Sequence, residues 1–231
     1  MHTHDDSTAS ESGSARSWWE ARYAEHDGIW SGRVNAVLAD VASSLPAGRA
    51  LDLGCGEGGD VVWLAQQGWA TTGVDLSVTA VTRGSRAAVT AGVEERTAFV
   101  AADLGSWDTA ARFDLVTASF LQSWPVEIPR GAILRRAAGF VVSGGHLLVT
   151  AHAAPPHGDL PEEMRAYRFP TPAEDLAALG LDDGWEVVAA ELRPRTAVTP
   201  EGAPHGVLDS VVLVRRRPLS EAGAAAAAPR P

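Results

Sequence analysis

Three aspartates stand at or near the ends of short apolar runs: Asp52 in "RALDL", Asp75 in "ATTGVDL" and Asp103 in "TAFVAADL". Between the first two lies "LGCGEGGD", with glycines at 54, 56, 58 and 59. Glycines this dense let a backbone come close to something that is not protein. Free amides opening a helix hold anions. Carboxylates at the same mouth, here Asp52 and Glu57, repel an anion, strongly in a partly desolvated crevice, and attract a cation. These residues point to a small ligand that carries positive charge. Further on, Ser119, Phe120 and Gln122 follow a fourth apolar run, and His152 closes a fifth. His152 is the best single candidate for a base or substrate contact. Gln122 is a candidate donor to the reacting molecule.

The elements that would position these groups alternate along the chain. "RALDL" (49–53) reads as a buried strand, and a helix follows the glycine loop with Val61, Val62, Leu64 and Ala65 inward. Gly68 sits where a helix ends. "ATTGVDL" (70–76) is a second strand, and Ser77 is the N-cap of the next helix. "TAFVAADL" (97–104) and "FDLVTASF" (113–120) are the third and fourth strands. Pro129 opens a helix, "SGG" (143–145) is a turn, and "HLLVTAH" (146–152) is a fifth strand. "TPAE" (171–174) is a capping box whose helix ends at Gly180. "WEVVAAEL" and "VLDSVVLV" follow with no helix between them and pair as antiparallel neighbours. This order predicts an α/β, doubly wound, Rossmann-like sheet of seven strands, mostly parallel with an antiparallel C-terminal edge hairpin. In such sheets ligands sit beyond the carboxyl ends of the strands, which is where the named residues fall.

Composition narrows the function classes. The chain has 231 residues, 45% of them apolar, with a net charge of -10 and one cysteine, Cys55. One cysteine forms no disulfide framework and no cysteine-based metal cage. His2 and His4 form a short His-x-His in a polar tail with no convergent partners, so no metal site is expected. All 19 basic residues are arginine, which excludes lysine chemistry. The acidic balance argues against nucleic acid and anionic membranes, and toward a small-molecule acceptor. No leader or spanning pattern is visible, which predicts a cytoplasmic protein, a monomer or weak homodimer. Residues 17–217 read as one domain, with disordered tails over 1–16 and 218–231.

Gly54-x-Gly56-x-x-Gly59 also matches a dinucleotide fingerprint in the right strand–turn–helix context, and Asp75 follows about twenty residues on, where a ribose-binding acid belongs. A nicotinamide-dependent oxidoreductase is therefore a rival reading. It requires Asp52 to point away from the pyrophosphate.

"ALDLGCGEGGD" resembles the first motif of class I S-adenosylmethionine-dependent methyltransferases. "GVDLS", "VAADL" and "FDLVTASFLQSW" are similar to their second, third and fourth motifs, and "VVSGGHLLVTAH" to the fifth-strand region. "WWEARYAEHDGIWSGRVNAVL" resembles the N-terminal helical lid of the tellurite-resistance and thiopurine-type branch. The resemblance implies S-adenosyl-L-methionine as cofactor. It implies that the backbone of Gly54, Cys55 and Gly56 lines the methionine part, with Asp52 behind it favouring the ammonium. It implies that Asp75 accepts both ribose hydroxyls and Leu76 packs on adenine. Asp103 and the Leu104 backbone would meet the adenine amino edge, and Ser119 and Phe120 would close the far side.

The reaction implied is in-line displacement at the sulfonium methyl, in which the protein aligns a nucleophile and excludes water. A thiolate, amine or anion needs no base; an oxygen acceptor does. No Asn/Asp-Pro-Pro-Tyr follows strand four and no Pro-Cys pair exists, which argues against amide-nitrogen and covalent cytosine methylation. Cys55 is expected to be core packing. Trp19, Tyr23 and Trp30 sit in the lid segment; Trp19 and Tyr23 share a helix face, and their helix either docks on the core or covers the site. Arg22 and Arg33 are candidates to meet an anionic group. Segment 152–170, with His157, Met164, Tyr167 and Arg168, is expected to shape the acceptor pocket.

Overall fold

The structure is a computed structural model that describes residues 6–155, 162–198 and 204–218. In chain order the elements are helices α1 (Asp6–Ala24) and α2 (Ala36–Ser43), strand β1 (Arg49–Leu53), α3 (Gly59–Gln66), β2 (Ala70–Asp75), α4 (Val78–Thr90), β3 (Thr97–Ala101), β4 (Phe113–Ser119), α5 (Arg130–Gly139), β5 (Val141–His152), α6 (Pro172–Leu179), β6 (Trp185–Val198) and β7 (Pro204–Arg216). The seven strands form one sheet in the order β3-β2-β1-β4-β5-β7-β6. All neighbours are parallel except β5–β7 and β7–β6. The order reverses between β1 and β4, so a crevice opens above those two strands.

Period-two alternation sends each central strand's side chains to two separate cores. Leu51, Leu53, Val116, Ala118, Leu147, Val149, Val212 and Val214 pack with Ile133, Leu134 and Ala137 of α5 and Leu179 of α6. Ala50, Leu115, Leu148, Val211 and Leu213 pack on the other face with Val37 and Leu38 of α2 and Leu64 of α3. On this count Asp52 and Thr117 belong to the α2–α3 face.

Two expected caps are present: Ser77 caps α4 through the Ala80 amide, and Thr171 with Glu174 forms the capping box of α6. The structure adds Asn35, which caps α2 through the amides of Val37 and Leu38. Three expectations are corrected. The turn at 143–145 is absent as such: β5 runs through it, with Gly144 at φ 84 and a register shift against β4. The third strand stops at Ala101, because its only partner, β2, runs out at Asp75, which pairs with Ala101. The last two strands are longer than expected, 14 and 13 residues. Pro194 lies inside β6, a position an edge strand tolerates; a register shift at Val187/Ala189 interrupts the same strand. α1 starts at Asp6, within the stretch expected as a tail. Residues 219–231 lie outside the described residues, as do His2, His4 and His157.

Candidate active site

At the carboxyl end of β1, Asp52 is 2% exposed. Its cross-strand partner on β4 is Thr117, whose hydroxyl donates to Asp52 Oδ1 at 2.7 Å. Asp60 in the first turn of α3 and Asp75 at the end of β2 are close by. Burial first, then the charges of Asp60 and Asp75, push the Asp52 carboxyl up to about 8 against the Thr117 hydrogen bond. Burial likewise raises Asp60, against the hydrogen bond from the Asn35 amide, and raises Asp75. Among the described residues, no salt bridge reaches any of the three. Two buried acids and a half-buried third without a counter-charge are costly unless a cation completes them.

The glycine loop is fixed by its neighbours. The amides of Gly54 and Cys55 both donate to the Val74 carbonyl, at 2.8 and 3.1 Å. Asp75 Oδ2 accepts the Gly56 amide and Oδ1 the Ser77 amide, both at 2.9 Å. Each carboxylate oxygen keeps a lone pair for a ligand. Gly56 has φ 52, and a Cβ there would lie 3.0 Å from Tyr23 Oη and 3.1 Å from Trp30 Nε1. Cys55 packs beside Val61 and Val81; burial pushes its thiol well up, away from nucleophile chemistry. Leu76 and Leu104 line the same cleft, and Asp103 holds the turn after β3 by accepting the Gly105 amide at 2.8 Å.

The N-terminal segment covers this loop through four anchors. Glu20 of α1 accepts from the Ser77 hydroxyl at 2.7 Å and from the Thr79 hydroxyl. Tyr23, 3% exposed, accepts the Trp30 indole N–H at 2.9 Å and lies beside Trp19, with ring centroids 6.0 Å apart. Glu57 Oε2 accepts the amides of Ile29 and Trp30 at 2.9 and 3.1 Å, while its Oε1 pairs with Arg83 at 2.9 Å. Asp60 accepts the Asn35 amide at 2.7 Å. Helix docking and covering are thus the same act here. Glu57, read from sequence as one of the acids at the loop mouth, is instead neutralised by Arg83 and holds the lid.

Across the crevice, Ser119 ends β4 and Phe120 turns away at φ 56, a left-handed conformation unusual for a bulky residue. The Phe120 ring stacks on His152, centroids 4.2 Å apart and 25° between planes. Gln122 accepts the His152 amide at 3.1 Å and donates to Tyr167 Oη at 2.9 Å. Together these groups frame a cleft of about 810 Å³, lined by the acids and glycines, by Trp18 and Trp19 next to Tyr23, and by Met164 and the contacting rings of Trp124, Tyr167 and Phe169. His152, Gln122, Arg22 and Arg33 all reach it. Arg168 does not: its side chain is 86% exposed and pairs with Glu174 at the start of α6. The capping-box glutamate attracts it there.

Sequence reasoning missed Glu20, Asp60, Thr117, Asp209 and Arg195. Asp60 stood in the glycine stretch itself, and its place in the first turn of the helix was the available signal.

A family model described as a methyltransferase domain matches residues 50–145. "Probable thiol methyltransferase 2" of Arabidopsis thaliana is 36% identical over 101 residues, 42% of this chain and 45% of that protein. The match therefore spans less than half the length of that curated relative. A solved structure from work on the conversion of a disulfide bond into a thioacetal group during echinomycin biosynthesis has a TM-score of 0.69 at 22% identity, over 92% of this chain and 97% of that one. The Burkholderia thailandensis 1,6-didemethyltoxoflavin-N1-methyltransferase, solved with S-adenosylhomocysteine, has a TM-score of 0.63 at 23% identity, over 94% and 93%. The dinucleotide reading is not favoured. No helix among the described residues is long and apolar enough to cross a membrane.

Proposed function

We propose that the chain, whose residues 50–145 match a methyltransferase-domain model and whose fold is shared with a solved methyltransferase, transfers the sulfonium methyl of S-adenosylmethionine to a small-molecule acceptor. The observation that carries this reading is the trio of buried Asp52 and Asp75 and half-buried Asp60, set around a glycine loop with no salt-bridge partner among the described residues. Such a donor set fits an ammonium and a ribose and disfavours a pyrophosphate.

When bound, S-adenosylmethionine supplies a methyl group already activated by a positive sulfur. The remaining work falls to the chain. Asp52 and Asp60 receive the ammonium, with Thr117 orienting Asp52. The backbone of Gly54, Cys55 and Gly56 borders the methionine part, and Arg22 or Arg33 meets its carboxylate. Asp75 takes the ribose hydroxyls; Leu76 and Leu104 border the adenine, with Asp103 at its amino edge. Ser119 and Phe120 close the far side. The lid residues Trp19, Tyr23 and Trp30 exclude water, and Tyr167 with Gln122 bounds the acceptor end.

The acceptor belongs to the apolar end of the cleft. A thiol is the first class to test, because the Arabidopsis relative carries that name. The unit that acts is the single domain 17–217, a cytoplasmic monomer or weak homodimer; one buried cysteine suits a reducing compartment. Thermal shift with S-adenosylhomocysteine against NADH and NADPH tests the cofactor, and labelled methyl transfer to a thiol panel tests the acceptor. Stabilisation by the nicotinamides alone overturns the reading.

A further inference from the structure

Beyond the cofactor seat, a second charged assembly reaches the same cleft from the C-terminal hairpin. Asp209 on β7 is the cross-strand partner of His152 on β5. It is 1% exposed. Its Oδ1 lies 3.7 Å from His152 Nδ1, an ion-pair distance. Arg195 on β6 grips the same carboxylate with both arms of its fork, Nε to Oδ2 at 2.7 Å and Nη2 to Oδ1 at 3.1 Å. The Arg195 guanidinium also lies 5.7 Å from the Phe120 ring centroid. His152 is thus held on two sides, flat against Phe120 and edge-on to Asp209. Its side chain remains 49% exposed, on the cleft side.

Burial opposes ionisation of Asp209, but its contacts with His152 and Arg195 outweigh that and hold the carboxyl below its ordinary value. The charged and titratable groups bordering the imidazole are Asp209 from β7, Arg195 from β6, and Tyr167 through Gln122. A buried carboxylate beside Nδ1 selects the tautomer with the proton on that nitrogen. Nε2 then carries the lone pair, on the other nitrogen of a half-exposed ring that lines the cleft.

Resting on the methyl-transfer reading, we propose that His152 is the general base for the acceptor and that Asp209, clamped by Arg195, is its positioning residue. The acceptor's X–H proton moves to Nε2. The X lone pair forms the bond to the methyl carbon as the S–CH3 bond breaks. The electron pair of that bond returns to sulfur, which leaves neutral. The imidazolium formed is balanced by Asp209 and sheds its proton to solvent through its exposed edge. The strained turn at Phe120 is what brings an aromatic face under the ring.

The test compares two thiols of different acidity, 2-mercaptoethanol and 4-nitrothiophenol, the second already ionised at neutral pH. In Asp209→Asn and in His152→Gln, turnover with 2-mercaptoethanol falls about 100-fold. That loss exceeds the loss with 4-nitrothiophenol by at least about 30-fold, while KM for S-adenosylmethionine moves little. Equal losses on both thiols overturn the proposal. Nitrogen-15 NMR of His152 in the full chain bound to S-adenosylhomocysteine gives a readout that needs no turnover. The Nδ1–H tautomer is expected in the unaltered protein, with mixed tautomers in Asp209→Asn. An Nε2–H tautomer in the unaltered protein overturns the proposal even if both variants fail to fold. Methylation of neither thiol removes the thiol acceptor from the proposed function; the tautomer still decides the dyad.

Discussion

Thr117 and Asp52 face each other across the β1–β4 ladder, and the hydroxyl donates to the carboxyl at 2.7 Å. That single bond is the main support of a carboxyl that burial and two acidic neighbours push up to about 8. The site is therefore built at the expense of the free protein's stability.

Asp52→Asn should stabilise the free protein and weaken the cofactor. The folded carboxyl titrates above its ordinary value of 3.8, so the folded state holds a proton that the unfolded chain has released. Stability from this group falls as pH rises from about 4 to about 8 and stays low above that. The variant removes the penalty, on the order of 2–4 kcal/mol at pH 8. Urea denaturation at pH 5, 7 and 8.5 checks it; a variant less stable at all three pH values contradicts the burial argument. Calorimetry on the same variant should show S-adenosylhomocysteine binding at least tenfold weaker.

Cofactor binding should release protons. An ammonium favours the carboxylate form of Asp52, so below about pH 8 binding expels the proton Asp52 holds. Affinity for S-adenosylhomocysteine is expected to rise between about pH 6 and 8, by up to about tenfold per unit, and then flatten. Titrations in phosphate and in Tris, whose ionisation heats differ, measure the proton count. Identical heats in the two buffers contradict the placement.

Glu20→Ala should free the lid without unfolding the sheet. Burial raises the Glu20 carboxyl, but hydrogen bonds from Thr79 and Ser77 outweigh it, so the folded value lies below 4.5. Its stabilisation is present above about pH 4.5 and is lost as pH falls through the folded value. The half-buried side chain limits the contribution to about 1 kcal/mol. Hydrogen exchange should quicken in α1 and stay unchanged in β1, β4 and β5, and S-adenosylhomocysteine should bind about fivefold more weakly. Unchanged exchange in α1 removes Glu20 as an anchor.

Gly56→Ala should act on the lid as well as the loop. The added methyl meets Tyr23 Oη and Trp30 Nε1 at 3.0 and 3.1 Å and sits at φ 52. A left-handed alanine costs about 1 kcal/mol, so the fold survives. Exchange at residues 29–33 should rise together with a roughly tenfold loss of S-adenosylhomocysteine affinity. Loss of affinity with residues 29–33 unmoved confines the effect to the loop.

The glycine loop, the Ser77 cap and the strand–helix alternation were legible because each is decided within a few residues. The contacts that build the cleft joined distant segments: Glu20 to Ser77, Thr117 to Asp52, Asp209 to His152. No local pattern announces such pairs. The charge argument counted one acid that the structure pairs off. Glu57 was counted among the acids of the seat, yet Arg83 neutralises it. Asp60, three residues on in the first turn of α3, is an acid whose charge reaches Asp52. Arg168 was placed by segment alone, and a helix-capping glutamate drew it to the surface.

The last strand of the sheet has an unpaired rim. β6 carries Val187, Val188 and Leu192, each 50% exposed, which would template a strand from another molecule. Its irregularities answer that hazard. The shift at Val187/Ala189 twists the rim out of register. Pro194 offers no amide hydrogen, and Glu191, Arg193 and Arg195 place charge along the same stretch. The features that made this strand hard to read in the sequence are those that make its rim a poor template for another strand.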